Sequence, residues 1–126
     1  LLEAGAAVDQ ADEEGATPLS AASQTGKVDC VRLMIAAGAA VNQADSEGFT
    51  PLYIACQKGH LEVAKLLLEG SAAVNQAEED GATPLLVACL NGHLEVAKLL
   101  SSYGASRAAV PPFGTPEEIA NRDGHT

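Results

Sequence analysis

Residues 45–70 read DSEGFTPLYIACQKGHLEVAKLLLEG, and much of this pattern returns 33 residues earlier and 33 residues later in the chain. The later copy contains EEDGATPL at residues 78–85 and GHLEVAKLL at residues 92–100. The earlier copy contains DEEGATPL at residues 12–19. Recurrence at one fixed period is typical of proteins in which identical small units stack on one another. The repeat therefore decides the fold of this chain.

Each copy predicts two helices. A Thr-Pro pair stands at residues 17–18, 50–51 and 83–84; threonine is a good N-cap, and proline is tolerated at the first helical position. First helices are expected at about 18–25, 51–58 and 84–91, and second helices at about 28–37, 61–69 and 94–102. In the middle copy, four apolar residues predict one buried stripe along the second helix: Val63, Ala64, Leu67 and Leu68.

Acidic turns precede the Thr-Pro pairs and close on Gly15, Gly48 and Gly81. Such turns predict short hairpin-like excursions, which stacking would align into one acidic ridge. Two interpretations stay open: solvated residues that aid solubility, or a docking edge for a basic segment of a partner. The acidic residues concerned are Asp9, Asp12, Glu13, Glu14, Asp45, Glu47, Glu78, Glu79 and Asp80.

The motif Asp-x-x-Gly-x-Thr-Pro-Leu-x-x-Ala, followed by Gly-His-Leu-Glu-Val-Ala-Lys-Leu-Leu and Gly-Ala-x-Val-Asn, resembles the ankyrin repeat. The resemblance implies an all-α solenoid of stacked helix-turn-helix units with short β-hairpin-like turns. We expect one domain over residues 1–126, with the tail of a truncated repeat at 1–8 and full repeats at 9–41, 42–74 and 75–106. A divergent C-terminal half repeat is expected at 107–126.

One position departs from the family pattern. The family usually has histidine after Thr-Pro-Leu, where it bonds within and between repeats, but this chain has Ser20, Tyr53 and Leu86. Ser20 could replace part of that bonding, whereas Leu86 has no polar side-chain atom. Asn42 and Asn75 match an asparagine that is hydroxylated in some family members, a match that rests on motif position alone.

Composition limits the possible partners. The chain has 126 residues and a net charge of −10, which disfavours direct binding to nucleic acid or to an anionic membrane. No apolar run reaches the length of a membrane span. Three cysteines do not form a disulfide framework; we expect Cys56 and Cys89 to be free core thiols, which indicates an intracellular protein, cytoplasmic or nuclear. Residues 1–5 align with residues 34–38, so the chain is expected to be a fragment.

Catalytic and metal-binding patterns are absent from the sequence. His60 and His93 occupy equivalent positions, but they form no His-Glu-x-x-His motif and no close-spaced ligand pair. We interpret both as structural residues at helix starts. No nucleophile elbow or phosphate loop occurs. We therefore expect no enzyme activity, no metal and no cofactor.

These observations predict a monomeric, non-catalytic scaffold that binds a protein or peptide, possessing a basic segment, through a concave face and acidic turns. The alternative is a regulatory or structural segment of a larger enzyme or channel, with mainly intramolecular contacts. Phe49 is the expected anchor, supported by Tyr53, unless Tyr53 only fills the space of the missing histidine. The predicted binding residues are Glu13, Glu14, Ala16, Gln24, Ser46, Glu47, Phe49, Tyr53, Gln57, Lys58, Glu79, Asp80, Ala82, Leu90 and Asn91.

Overall fold

A computed structural model describes residues 9–108 together with residues 114, 115 and 118. This part of the chain contains six α-helices and no strand. They are α1 (Pro18–Thr25), α2 (Val28–Ala36), α3 (Pro51–Lys58), α4 (Leu61–Glu69), α5 (Pro84–Leu90) and α6 (Leu94–Ser102). The predicted helices are confirmed, with all six starting residues correct. Only α2 and α5 end one residue earlier than expected.

The first helix of each repeat begins where the threonine caps it. Thr17 Oγ1 accepts a hydrogen bond from Ser20 N at 3.2 Å, and Thr50 Oγ1 accepts one from Tyr53 N at 3.1 Å. In the third full repeat Thr83 caps α5 in the same way. Since the following proline has no N–H to leave unpaired, the Thr-Pro pair explains why these helices start where they do.

The helices stack in two rows. α1 packs on α3 and α3 on α5, while α2, α4 and α6 form the second row, and each pair closes its own repeat. Leucines at equivalent positions of the first helices, Leu19, Leu52 and Leu85, are almost fully buried. The predicted stripe of α4 is also buried throughout, including Leu67. The core is therefore a thin layer that continues from repeat to repeat.

The histidines join neighbouring repeats. His60 and His93 hold the N-cap positions of α4 and α6, yet neither side chain caps its helix. Instead, His60 Nε2 lies 3.0 Å from the carbonyl oxygen of Gln24, and His93 Nε2 lies 3.1 Å from that of Gln57. Because a carbonyl oxygen can only accept, each Nε2–H donates. Their role is structural, as expected, but it lies between repeats and not at the helix start.

Asparagine and aspartate side chains join the first residue of each predicted repeat to the end of the same repeat. Asn42 Oδ1 accepts from Ala73 N at 2.8 Å, and Asn75 Oδ1 accepts from Ser106 N at 2.8 Å. Asp9 makes the equivalent bond one repeat earlier. These contacts give the two asparagines a structural role that needs no modification.

The residues that replace the family histidine behave differently from one another. Ser20 Oγ donates to Thr17 O at 2.8 Å and accepts from Thr17 N at 2.9 Å, so it completes a capping box inside its own repeat. Tyr53 and Leu86 are buried, and only their backbone N–H groups bond to the capping threonine. Side-chain bonds between repeats are made elsewhere, by His60 and His93 among others.

Much of the chain's two ends lies outside the described residues, including the expected tail at 1–8. Of the expected half repeat, Thr115 N donates to Glu118 Oε1 at 2.8 Å, and Glu118 N donates to Thr115 Oγ1 at 3.1 Å. This reciprocal pair is the capping arrangement that opens a helix. The repeat boundaries, including those of the half repeat at 107–126, stay predictions.

The three cysteines differ in exposure. Cys56 and Cys89 are buried and Cys30 is exposed, and none of these three forms a disulfide in the described part of the chain. Burial raises the pKa of the Cys56 thiol, and a protonated, inaccessible thiol is a poor nucleophile. In a time course with an aromatic disulfide reagent, we expect Cys30 to react rapidly and the other two only when the protein unfolds. A matched Cys30→Ser variant should lose the rapid phase; rapid reaction of that variant would contradict the burial of Cys56 and Cys89.

Candidate partner-binding face

One acidic side chain folds each turn. Asp45 Oδ1 accepts hydrogen bonds from Glu47 N and Phe49 N, both at 2.9 Å. Asp12 accepts from two backbone N–H groups in the same way, and Glu78 Oε1 accepts from Asp80 N at 2.8 Å and from Ala82 N at 2.9 Å. Each of these three acids therefore has a structural role in folding its own turn, and this role does not depend on any partner.

Neighbouring turns are joined through their backbones. Ser46 N donates to Glu14 O at 2.9 Å, and Glu79 N donates to Glu47 O at 3.1 Å. These bonds place the turn tips side by side. The tips carry six exposed side chains, and we call this surface the acidic edge: Glu13, Glu14, Ser46, Glu47, Glu79 and Asp80. The predicted alignment of the turns is therefore present.

The acidic edge carries no compensating cation among the residues that the structure describes. The two ion pairs found there are Arg32–Asp29 at 2.9 Å and Lys98–Glu95 at 3.5 Å. Both lie on second helices, α2 and α6, away from the turn tips. The edge therefore presents negative charge to whatever approaches the turns and first helices.

An aromatic pair stands beside this edge. The rings of Phe49 and Tyr53 have centroids 5.1 Å apart and planes inclined at 33°. Phe49 ends the turn of the second full repeat and Tyr53 lies one turn into α3, so the hairpin and the helix bring them together. Tyr53 is only 6% exposed and Phe49 is half-buried. Tyr53 thus fills interior space and also lines a surface groove, and its part in partner binding stays a prediction.

The pair forms one wall of a groove between the second and third full repeats. This groove, which we call the aromatic groove, has a volume of about 180 Å³. Six predicted binding residues line it: Phe49, Tyr53, Gln57, Asp80, Ala82 and Leu90. Its remaining lining residues, Glu78, Leu86 and Val87, were missed as binding residues. The period itself points to Leu86, since it stands 33 residues after Tyr53.

The electrostatics of the groove are visible at Tyr53. Burial, together with the neighbouring carboxylates of Glu78 and Asp80, raises the pKa of Tyr53 to about 12. A negative charge on the phenol oxygen would be poorly solvated and would face two other negative charges. The hydroxyl therefore stays protonated across the physiological range, in a groove whose potential is negative.

Other predicted binding residues lie elsewhere or have structural partners. Asn91 Nδ2 donates to Gln57 O at 3.0 Å, which ties α5 to α3. Lys58 is exposed in the last turn of α3 and does not line the aromatic groove. Ala16 and Gln24 belong to the first full repeat and also lie outside that groove. The structure thus concentrates six of the fifteen predicted residues in one place.

Two searches of the described residues bear on other kinds of site. No group of three His, Cys, Asp or Glu side chains within that part of the chain could hold a metal ion. No helix found there is long and apolar enough to cross a lipid bilayer.

A family model described as ankyrin repeats in three copies matches residues 1–77 and 47–110. No curated protein matches the chain. The matched residues include every turn and first helix that builds the acidic edge and the aromatic groove.

Proposed function

Because the chain belongs to the ankyrin repeat family, whose repeats are generally protein–protein interaction modules, we propose that it is a non-catalytic scaffold for a protein or peptide partner. The partner would bind the face formed by the first helices and turns, which is concave in the family. The observation that carries the proposal is the aromatic groove, where residues from two repeats and an aromatic pair converge. Aromatic residues in pockets are typical anchors of interfaces.

Charge supports a partner with a basic segment. The chain has a net charge of −10, and the acidic edge runs directly beside the aromatic groove, since Asp80 belongs to both. Complementary charge mainly accelerates and orients association, whereas buried apolar contacts slow dissociation. The acidic edge would thus guide a basic segment toward the groove. The proposal accordingly excludes nucleic acid and membranes as direct ligands.

The proposal also includes a monomeric state and an intracellular location, cytoplasmic or nuclear. Buried cysteines outside any disulfide, Cys56 and Cys89, suit a reducing compartment. Size-exclusion chromatography with light scattering tests the monomeric state directly.

The anchor residue is tested by affinity capture. Immobilised wild-type chain, Phe49→Ala and Leu33→Ala are incubated with the same cell extract, and retained proteins are identified by mass spectrometry. Leu33 is a matched control because it is apolar, 63% exposed and on α2. A protein retained by wild type and by Leu33→Ala, but lost with Phe49→Ala, is the expected result. Circular dichroism verifies that both variants are folded; equal retention by all three chains would contradict the proposal.

The acidic edge is tested by charge reversal with a purified partner. Replacing Glu13, Glu47 and Glu79 with Lys changes the charge by two units at each position, from −10 to −4. We expect affinity to fall about tenfold at low ionic strength and the difference to shrink in high salt, since salt screens exposed charges. Isothermal titration calorimetry at two salt concentrations provides the measurement.

The control for this experiment reverses three exposed acids on second helices: Glu62, Glu69 and Glu95. It reaches the same net charge of −4, by three changes of two units from −10. A loss of affinity equal to that of the first variant would mean that net charge, and not the acidic edge, determines binding.

A further inference from the structure

We propose that the aromatic groove is an arginine-binding site, in which a guanidinium group of the partner lies against the Phe49–Tyr53 pair and bonds to the carboxylates of Glu78 and Asp80. This inference rests on the proposed function and names the chemical group that the partner presents.

The aromatic pair provides the surface on which a guanidinium can lie. The two rings contact each other at a centroid distance of 5.1 Å and are tilted by 33°, and both line the groove. A planar, weakly hydrated cation is attracted to ring faces and packs flat on them. An ammonium group has neither the plane nor the weak hydration, so arginine fits this wall better than lysine does.

Hydrogen-bond acceptors line the same groove as the rings. Glu78 uses Oε1 to fold its turn, while its Oε2 makes no hydrogen bond within the described part of the chain. The Asp80 carboxylate is exposed and likewise bonds to no described residue. Both residues line the groove. Carboxylate oxygens without partners are the acceptors that the fixed fork of guanidinium N–H groups matches.

Tyr53 supplies an independent observation. Only 6% of the residue is exposed, and its hydroxyl makes no hydrogen bond among the residues described. Since no buried side-chain polar atom in this part of the chain lacks a partner, the hydroxyl oxygen is open to solvent, and Tyr53 lines the groove. A polar group of a ligand can therefore replace water at this hydroxyl.

The rest of the lining suits the arginine stem. Leu86, Val87 and Leu90 on α5 form an apolar wall, along which three methylene groups can lie while the charged end meets the acids. A purely aliphatic side chain would cover this wall but would also remove water from Asp80 and Tyr53 without replacing its hydrogen bonds. The groove as a whole therefore favours an apolar stem with a cationic, planar end.

The direct test titrates N-acetyl-arginine methylamide into the ¹⁵N-labelled full chain and follows amide resonances by NMR. We expect shifts at Tyr53, Ala82 and Leu90. The citrulline analogue, a neutral isostere, should bind at least about fivefold more weakly, as should the leucine analogue. The lysine analogue should bind more weakly than the arginine probe but more tightly than the citrulline and leucine analogues. Equal binding of the leucine or citrulline analogue would overturn the inference.

Two variants in the groove and one matched control identify the acceptor. Asp80→Asn should weaken binding of the arginine probe about fivefold. Glu14→Gln removes a charge at the equivalent position of the first full repeat, two periods earlier, and should leave binding unchanged. Tyr53→Phe keeps the ring and should reduce binding by about twofold. An unchanged affinity in Asp80→Asn would contradict the site, as would groove resonances that move with protein concentration alone, because a second copy would then be the occupant.

The outcomes separate this inference from the proposed function. If Phe49→Ala loses a captured protein while the arginine probe moves no groove resonance, the arginine site is wrong and the scaffold proposal stands. If the probe binds as expected while wild type and Phe49→Ala retain the same proteins, the arginine site stands and the scaffold proposal is wrong.

Discussion

Replacing Leu67 with alanine is expected to lower the free energy of unfolding by about 3 kcal/mol. Leu67 is completely buried in α4, the helix that packs on α2, on α3 and on α6. Truncation loses the free energy of burying the removed methyl and methylene groups and leaves a cavity. The cavity cannot close fully, because neighbouring helices hold α4 on three sides. Urea denaturation followed by circular dichroism measures the change.

The matched control is Leu33→Ala, which removes the same atoms from a side chain that is 63% exposed. Its effect should stay within about 0.5 kcal/mol, as is usual for surface positions. Because the middle repeat contacts both neighbours, the Leu67 variant should also weaken the coupling between them, so that the transition broadens. Equal effects at Leu33 and Leu67 would show that the second helices do not form the continuous core described here.

Gly48→Ala is expected to destabilise the protein by about 2–4 kcal/mol, the sum of two separate costs. Gly48 has a φ of +87°, which is unfavourable for any residue with a Cβ. In addition, a Cβ at this position would lie 2.8 Å from Glu79 N and 3.1 Å from Glu78 Cα. Both atoms are backbone of the next turn, so neither can move aside without disturbing the bond between Glu79 N and Glu47 O.

Gly38→Ala separates these two costs. Gly38 has a φ of +88°, and nothing lies within 4 Å of a Cβ placed there. It should therefore show only the conformational cost, about 1–2 kcal/mol. Thermal unfolding of both variants measures the difference in their destabilisation. This difference is the cost of placing a Cβ where adjacent turns approach closely. If Gly38→Ala were as destabilising as Gly48→Ala, the close approach at the turn tips would contribute nothing to stability.

The scaffold was predictable because its determinants are local. Thr50 and Pro51 specify a helix start through a cap and a missing N–H, and the spacing of Val63, Ala64, Leu67 and Leu68 specifies the buried face of α4. None of these inferences needs knowledge of a neighbouring repeat. The helix starts and the buried stripe agree with the structure for that reason.

The candidate site was predictable only in part. Phe49, Tyr53 and Asp80 were identified from exposure expected at turns and first helices, and they do meet in the aromatic groove. The sequence places Glu78 in the acidic ridge but not among the predicted binding residues, and it indicates Leu86 only as a substitute for a histidine. Whether Glu78 and Leu86 border a groove between two repeats depends on how closely those repeats approach each other. The position of a residue within its own repeat does not specify that distance.

The sequence by itself determined the period, the six helices and the buried stripe, because caps, prolines and apolar spacing act within one repeat. Only the tertiary structure decided what the repeated polar residues do. His60 and His93 bond to carbonyl oxygens of the preceding repeat, and Asn42 and Asn75 bond to backbone N–H groups at the end of their own predicted repeats. A hydrogen bond requires a particular distance and direction between two groups, and for residues more than 30 positions apart only the stacking of the repeats provides both.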